Sequence, residues 1–219
     1  MLSRRRKMLD MLLSKYSPTL SPPILDAGGK KVNKRGSFDL YDYFDTRDIT
    51  TVNIDISTHP DIASDFLLLD SDLDNFFKSA LCIEVLEHVQ HYDKFIFKLS
   101  ELTASSSRIL ISVPWLVPIH SDPFDYWRFT PSALTLLFND SSFEIESLYC
   151  MGNIFDVCLD LLQFYLHTFK HRRYILRFWA MFKSSLDTVL PPRALKVDDI
   201  HSTNNYFIST GWFFVLRKK

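Results

Sequence analysis

Apolar residues in the first half of the chain fall into short runs, each closed by a polar residue or a proline. These runs occupy residues 24–26, 51–55, 80–83 and 108–113. Their content of β-branched and aliphatic residues favours strands. Loops and helical segments separate the runs, and residues 85–99 show helical spacing. Strands that alternate with helices and loops predict an α/β domain with a mostly parallel sheet.

The pattern changes at both ends of the chain. Residues 2–16 form a predicted helix with a basic start, and the prolines within residues 17–23 end it and make a linker. Residues 143–149 and 206–216 alternate apolar and polar positions and come last. They suit edge strands that close the sheet as an antiparallel hairpin.

Residues 154–190 are apolar almost all round and predict two helices. The polar residues recur at intervals of three and four, so they form one narrow stripe on each helix. We interpret the segment as a helical hairpin: a lid over an apolar acceptor, a dimer interface, an interfacial membrane element, or a unit packed on its own sheet. The polar residues of the two stripes are Asp156, Asp160, Gln163, His167, Arg177, Ser184 and Asp187.

Composition and charge narrow the class of protein. Hydrophobic residues make up 47% and charged residues 23%, as in ordinary globular domains. The formal net charge is −1, so no global field favours nucleic acid. Only five glycines occur, which makes the adjacent pair Gly28-Gly29 conspicuous. Cys82, Cys150 and Cys158 fit neither a zinc nor a disulfide spacing, so we expect buried free thiols and no metal site.

The chain shows no signature of export or of membrane insertion. Basic residues 4–7 precede an apolar stretch that Asp10 and Lys15 interrupt, unlike a secretory signal. No run reaches the ~20 apolar residues that a spanning helix needs. We therefore expect a cytoplasmic protein, and residues 154–190 leave peripheral contact with a membrane open.

Acids and glycines stand where the first three predicted strands end. Asp26, Gly28 and Gly29 follow the first strand, Asp55 ends the second, and Glu84 closes the third. In open α/β sheets, ligands bind outside the carboxyl ends of strands, where the strand order reverses. Glycines let the backbone approach a ligand, and an acid after the second strand can accept both ribose hydroxyls. Each feature alone also fits a tight turn or a helix cap. Their order along successive strands favours a nucleotide-type ligand.

Several segments together resemble the type 11 group of class I S-adenosylmethionine-dependent methyltransferases. The most specific is the run Cys-Ile-Glu-Val-Leu-Glu-His-Val over residues 82–89. The run His-Ser-Asp-Pro-Phe-Asp-Tyr-Trp-Arg-Phe-Thr over residues 120–130 resembles a subset of the family that is often encoded with glycan-assembly genes. The resemblance covers residues 22–150 and the closing strands. The other matching segments are residues 24–29, 53–55, 63–65 and 109–114.

This resemblance implies a fold and a cofactor. The implied fold is α/β and Rossmann-like, with a mostly parallel seven-stranded sheet, an antiparallel C-terminal hairpin and, in this chain, an inserted α-helical hairpin. We divide the chain into an N-terminal helix and linker (1–21), a methyltransferase core (22–150 and 203–219) and the helical insertion (151–202). The implied cofactor is S-adenosylmethionine.

The resemblance also implies which residues contact the cofactor, although the first loop departs from the family. That loop is poorer in glycine than is usual in the family, which has a third small residue at the position of Lys30. A basic loop over residues 30–36 replaces an obvious helix; it suits an anionic group or a solvated surface equally. The implied contacts are Asp26, Gly28 and Gly29 with the methionine part, Asp55 and Ile56 with the ribose, Asp65 and Phe66 with the adenine, and Glu84 and Val85 beneath the sulfonium.

The acceptor should meet the methyl group just after the fourth strand. His120 is the candidate general base there, because imidazole titrates near neutral pH, and Asp122 is a candidate to orient it. The alternative is a structural corner, with Asp122 and Thr130 as caps, Trp127 in the core and Arg128 in an ion pair. His88 and His91 are interpreted as residues of a helix surface, or as residues that support the site without contacting its ligands. The candidate acceptor-binding residues are Asp125, Tyr126, Trp127 and Arg128.

Two functions from different classes follow from these residues. The first is a methyltransferase that transfers a methyl group in line to a small-molecule or glycan- or lipid-linked acceptor, mainly through proximity and orientation. The second is a non-catalytic methyltransferase-like module that binds a partner through the helical hairpin; the glycine-poor loop favours it, and the retained acids argue against it. A nicotinamide-dependent oxidoreductase lacks its Gly-x-Gly-x-x-Gly spacing.

Overall fold

In a computed structural model of the protein, eight strands form one sheet. The structure describes residues 3–31, 40–44, 46, 48–120, 123–167, 172–198 and 208–219. The strands are β1 (Ile24–Ala27), β2 (Ile49–Asn53), β3 (Ile62–Ala63), β4 (Phe77–Ile83), β5 (Thr103–Pro114), β6 (Phe143–Met151), β7 (Ala194–Lys196) and β8 (Gly211–Lys218). The helices are α1 (Arg4–Tyr16), α2 (Tyr92–Leu102), α3 (Pro131–Asp140), α4 (Ile154–Leu166) and α5 (Arg172–Val189).

The strand order is β3-β2-β1-β4-β5-β8-β6-β7. The first five strands in this order pair in parallel. Strand β8 inserts between β5 and β6 and is antiparallel to both, and β7 is antiparallel to β6. The predicted α/β architecture, mostly parallel with an antiparallel C-terminal end, is confirmed.

Two details of the sheet differ from the prediction. The sheet has eight strands rather than seven, because Ala194–Lys196, within the segment assigned to the helical insertion, pairs with β6. Three residues are too few to carry a strand pattern. The expected edge position of residues 206–216 is also wrong. Strand β8 lies inside the sheet and is buried from Gly211 to Leu216, while residues 206 and 207 lie outside the described residues.

Both faces of the sheet are covered, and the alternation of side chains along each strand decides which face a residue joins. On one face, α2 and α3 pack through Phe95, Leu99 and Phe138 against the sheet. On the other face, α1 packs through an apolar stripe with helical spacing: Met8, Leu9, Leu12 and Leu13. The strand residues beneath α1 are Ile24, Ile49, Leu81, Leu110, Tyr149, Met151, Phe213 and Val215.

The helical hairpin of α4 and α5 turns its charged stripe inward. Arg4 of α1 is buried, and its guanidinium bonds to the carboxylates of Asp156 in α4 and Asp187 in α5. Lys183 in α5 is only 1% exposed and donates a hydrogen bond to Gln163 Oε1 at 2.8 Å. The polar stripe predicted on α4 therefore faces inward at Asp156, Asp160 and Gln163, where it joins the hairpin to α1, while His167 at its end is exposed.

The outward face of this hairpin is apolar. Phe178 is 73% exposed and Met181 is 72% exposed. Cys158, expected to be buried, is also exposed, unlike the other two free thiols. On α5, Arg177 and Ser184 are exposed, whereas Lys183, which the sequence pattern did not single out, is buried. Among the described residues, no helix combines the length and the hydropathy needed to cross a bilayer.

Candidate active site

The reversal of strand order lies between β1 and β4, which are neighbours in the sheet. The chain builds β2 and β3 on one side of this point and β5 on the other. Because these strands are parallel, their carboxyl ends share one edge, and open α/β sheets form their ligand crevice there. The fold thus brings Asp26, Gly28, Gly29, Asp55 and Glu84 to one edge of the sheet.

The turn after β1 requires both of its glycines. Gly28 has a φ of +84°, which favours glycine, and a Cβ there would lie 2.7 Å from the Cγ atoms of Val85. A Cβ on Gly29 would lie 1.8 Å from Asp26 Oδ2. The loops after β1 and β4 therefore contact each other directly at the reversal point, and Val85 is one of the residues that join them.

Asn53, the last residue of β2, fixes the same turn from its other side. Its Nδ2 donates to the carbonyl oxygens of Gly28 at 2.9 Å and of Gly29 at 3.0 Å. Its Oδ1 accepts from the backbone N–H of Asp55 at 2.9 Å. One amide side chain thus links the two loops that carry the predicted cofactor residues. Sequence reasoning assigns Asn53 no role, and the available signal is its place at a strand end, two residues before an acid.

The carboxylate of Asp26 is buried beneath this turn. Only 4% of the residue is exposed, and burial raises the pKa of Asp26 to about 7. None of the described residues donates a hydrogen bond to its carboxylate or forms an ion pair with it. A cationic ligand group at this point would supply the missing counter-charge and favour the ionised form.

The two exposed acids of the predicted cofactor site both cap short turns. Asp55 Oδ1 accepts from Ser57 N–H at 2.9 Å, and Asp65 Oδ1 accepts from Leu67 N–H at 3.0 Å. Each carboxylate stays exposed at the strand edge, and so does the predicted ribose contact Ile56, at 74%. The caps hold these acids in fixed positions beside the crevice.

Phe66 occupies a different environment from the one expected of an adenine contact. Its ring is buried and stacks on Phe95 of α2, with centroids 4.1 Å apart. The Asp65 cap starts a turn whose first apolar side chain points into the core. The structure therefore places the ring of Phe66 in the core, and not where it would contact an adenine.

Glu84 is held from two sides at the end of β4. Its φ of +58° is left-handed and uncommon for a residue with a side chain. One carboxylate oxygen accepts from Ser112 Oγ at 3.0 Å, and the other forms an ion pair with Arg5 of α1. Desolvation lowers the pKa of the Arg5 guanidinium. Helix α1, which the sequence places outside the core, thus contributes a cation beside the crevice.

Residues 118–120 and 123–128 form a fixed corner around Asp125. Arg128 binds the Asp125 carboxylate through two hydrogen bonds of 2.5 and 2.7 Å, and His120 N–H donates to it at 2.8 Å. The hydrogen bonds from Arg128 hold the pKa of Asp125 at about 2. The structure therefore shows Arg128 in the structural ion pair, the alternative to an anion-binding role. Asp122, the predicted orienting acid, lies outside the described residues.

The corner is tied to the turn that follows β4. The backbone N–H of Tyr126 donates to the carbonyl of Glu87 at 2.7 Å, and Trp127 Nε1 donates to the carbonyl of Val89 at 3.0 Å. Trp127 is not a core residue, since 36% of it is exposed. These bonds fix the predicted acceptor segment against the predicted cofactor segment.

A pocket of about 520 Å³ opens beside this corner. Its size falls within the usual range of small-molecule sites. All four predicted acceptor-binding residues line it, and Trp115, Val157 and Leu161 supply apolar walls. Two of these come from α4, so the helical hairpin forms part of the wall, and its role as a lid stays a prediction. The predicted acceptor residues are Asp125, Tyr126, Trp127 and Arg128.

His120 lies at the boundary between the corner and the turn after β4. Its Nδ1 is 3.3 Å from the carbonyl of Pro118, and its Nε2 is 3.9 Å from Glu87 Oε1. Desolvation lowers the pKa of His120, which favours the neutral ring that a general base requires. Glu87 is fully buried, and sequence reasoning gives it no role, although it stands within the most specific run.

No protein-family model and no curated protein matches the chain. Solved structures do match it over nearly its whole length. A SAM-dependent methyltransferase from Archaeoglobus fulgidus is 14% identical, with 97% of this chain and 94% of that chain covered and a TM-score of 0.56.

Two further structures show the range of proteins with this fold. The 1,6-didemethyltoxoflavin-N1-methyltransferase of Burkholderia thailandensis, solved with 1,6-didemethyltoxoflavin and S-adenosylhomocysteine, is 15% identical, with 99% and 78% of the chains covered and a TM-score of 0.53. The cyclase SpnF is 14% identical, with 96% and 79% covered and a TM-score of 0.54. At such identities the likeness shows the fold alone: the Rossmann-like fold of class I methyltransferases. Membership of the type 11 group stays a prediction.

Proposed function

We propose that the protein is an S-adenosylmethionine-dependent methyltransferase that acts on a small-molecule or glycan- or lipid-linked acceptor. The observation that carries this proposal is one arrangement at one edge of the sheet. A glycine turn with a buried acid, two capped acids and Glu84 lie at the carboxyl ends of the parallel strands, and a pocket of about 520 Å³ opens after β5 on the same edge of the sheet. Neighbours of the fold that are named as methyltransferases support the same conclusion.

The residues at the reversal point fit the chemistry of this cofactor. Asp26 is a buried acid without a described counter-ion, so the cofactor's ammonium group would provide the charge that it lacks. Asp55 is exposed at the end of β2, where an acid accepts ribose hydroxyls in related sheets. Gly28 and Gly29 would admit the methionine part, with Glu84 and Val85 below the sulfonium. Asp65 would accept from the adenine amino group.

In-line transfer needs the acceptor to be oriented and water to be excluded. When bound, the cofactor would supply an activated methyl group for transfer to the acceptor atom. The apolar walls of Trp115, Val157 and Leu161 would exclude water from an acceptor bound in the pocket. His120, neutral because of burial, would take the proton from a hydroxyl acceptor.

The decisive test is calorimetric titration with S-adenosylmethionine and with S-adenosylhomocysteine. We expect both to bind with one site per chain. Absence of binding would favour the second function, a partner-binding module without catalysis. In that case Glu84 would serve only as the ion-pair partner of Arg5.

The role of His120 has its own test. His120→Ala should lower turnover on a hydroxyl acceptor by about 10²-fold or more, the contribution of a general base, and leave cofactor affinity unchanged. The matched control is His91→Ala, since His91 is exposed and three residues from His88. Equal losses of turnover and cofactor affinity in His120→Ala would contradict the base assignment.

We also propose that the outward face of α4 and α5 contacts a membrane surface, which would bring a cytoplasmic enzyme to a lipid-linked acceptor. Exposed aromatic and sulfur side chains support this, among them Phe164, Phe178 and Met181. The sequence at the start of α5 and just before it, residues 170–173, is basic. Phe178→Glu should reduce co-sedimentation with anionic liposomes. Unchanged sedimentation, together with a concentration-dependent dimer, would identify a homodimer interface instead.

A further inference from the structure

A buried carboxylate without a hydrogen-bond partner lies in the turn after β4. Glu87 has 0% exposure, and neither of its carboxylate oxygens receives a hydrogen bond from any residue that the structure describes. Leaving an unpaired carboxylate in a protein interior costs several kcal/mol. Arg5 and Arg128 are the nearest cations that act on Glu87, but their guanidinium groups are engaged by Glu84 and by Asp125.

Two imidazole rings face this carboxylate. The Nε2 atoms of His88 and His120 lie 3.6 and 3.9 Å from Glu87 Oε1, beyond hydrogen-bond distance. The two rings are 5.2 Å apart and almost perpendicular, at 89°. One ligand atom from each of the three residues lies within 4.8 Å of the other two.

The far side of each ring is already engaged by a backbone carbonyl. His88 Nδ1 is 2.5 Å from the carbonyl oxygen of Phe124, and His120 Nδ1 is 3.3 Å from that of Pro118. A carbonyl oxygen only accepts, so each Nδ1 carries a proton, and Nε2 is the ring atom left to bind a ligand. The two Nε2 atoms face the Glu87 carboxylate, and a metal ion between them would satisfy all three groups. The same pattern orients histidines that bind metals.

The surrounding backbone fixes the three residues in place. The Glu87 carbonyl accepts from Tyr126 N–H, and the buried Asp125 carboxylate accepts from His120 N–H at 2.8 Å. Ligand atoms about 2.1 Å from a tetrahedral ion lie roughly 3.4 Å from one another. The two separations from Glu87, 3.6 and 3.9 Å, need to shorten by a few tenths of an ångström. The third, between the ligand atoms of the two histidines, is at most 4.8 Å and needs to shorten by at most about 1.4 Å.

We propose that Glu87, His88 and His120 bind one divalent transition-metal ion. Two imidazoles and one carboxylate suit Zn²⁺, Mn²⁺, Fe²⁺, Co²⁺ or Ni²⁺ better than Ca²⁺, which takes oxygen ligands. Three protein ligands leave coordination positions for solvent or an acceptor oxygen. As a metal ligand, Nε2 of His120 does not act as a general base, so the two assignments of this ring are alternatives. The metal site does not depend on the proposed cofactor site.

The test uses the full chain, purified without a polyhistidine tag and freed of metal with a chelator. Titration with Co²⁺, followed by its visible absorption, and calorimetry with Zn²⁺ should each show one site per chain. Zn²⁺ should also raise the Tm, because a ligand that binds only the folded state stabilises it. Glu87→Gln and His120→Ala should each weaken binding at least tenfold, and the exposed control His91→Ala should bind like the wild type.

Glu87→Gln keeps the size of the side chain and removes an unpaired charge, so it should remain folded, which circular dichroism checks. Absence of stoichiometric binding by the wild type would overturn the proposal, as would unchanged affinity in both variants. Metal binding without S-adenosylmethionine binding would support the metal site and contradict the proposed function.

Discussion

Buried carboxylates occur in two regions of this molecule, and the two regions differ in what faces them. Where the helical hairpin meets α1, Asp156 and Asp187 both contact the guanidinium of Arg4. At the carboxyl edge of the sheet, Asp26 and Glu87 are buried as deeply. There, no residue in the described part of the chain donates a hydrogen bond to either carboxylate.

The difference separates structural acids from binding acids. A buried ion pair holds two elements together, and removal of one partner leaves an unpaired charge in the interior. A buried acid without a partner lowers the stability of the free protein, so it is a candidate for a ligand that brings the counter-charge. By this criterion the hairpin acids join α4 and α5 to α1, and the strand-edge acids mark binding sites.

The largest effect is expected at the paired acids. Asp156→Ala should lower the free energy of unfolding by about 3 kcal/mol, because it removes one of the two carboxylates that neutralise the buried guanidinium of Arg4. Urea denaturation measures this. Phe178→Ala on the outward face is the control and should change the value by less than about 0.5 kcal/mol. A wild-type midpoint for Asp156→Ala would remove the distinction between the two regions.

Asp26→Asn should raise the free energy of unfolding of the free protein rather than lower it. The pKa of Asp26 is raised from 3.8 to about 7 in the folded state, so the free wild-type protein loses stability as pH rises from about 4 to about 7. The variant lacks this loss and should be more stable above pH 7, by roughly 2 kcal/mol or more, since one pKa unit is about 1.4 kcal/mol. Thermal melts at pH 5 and pH 8 measure the difference, and equal Tm gains at both values would contradict the assignment.

Asp55→Asn tests an exposed acid of the same edge. Asparagine caps a turn as well as aspartate does, so the free energy of unfolding should stay within about 0.5 kcal/mol of the wild type. Loss of the charge should weaken S-adenosylmethionine binding about tenfold, or roughly 1.4 kcal/mol. Calorimetry measures it, with exposed Asp72→Asn as the control. Equal affinities in the two variants would speak against a ribose contact at Asp55.

The smallest effect is expected at an exposed pair. Glu101, whose side chain is 60% exposed, lies 3.3 Å from Lys98 on α2. Glu101→Ala should change the free energy of unfolding by no more than about 0.5 kcal/mol, because solvent screens such pairs. A larger change would mean that burial is not what distinguishes the acids compared above.

Local patterns in the sequence were sufficient for six of the eight strands, for α1, for the helical hairpin and for the edge on which the acids gather, but not for β3 or α3. Short apolar runs with closing acids predict parallel strands and their carboxyl ends, and the order along the chain predicts which acids meet. The glycine turn also follows from sequence, since the positive φ at Gly28 and the contact with Asp26 at Gly29 each require a missing Cβ. Strand β7 does not follow, because three residues carry no pattern.

Tertiary structure alone decided which way each polar stripe faces and which acids are paired. The period of a helix shows that Asp156, Asp160 and Gln163 share one side. The acids on that side can face the interior only if a buried cation pairs with them. That cation is Arg4, which lies more than 150 residues away in sequence. The contact between Glu87 and His120 cannot be predicted from local patterns either, because only the fold brings these two residues together. The sequence by itself determined the elements and the candidate residues. Long-range contacts decided their partners, because charge pairing and burial depend on distances that no local pattern contains.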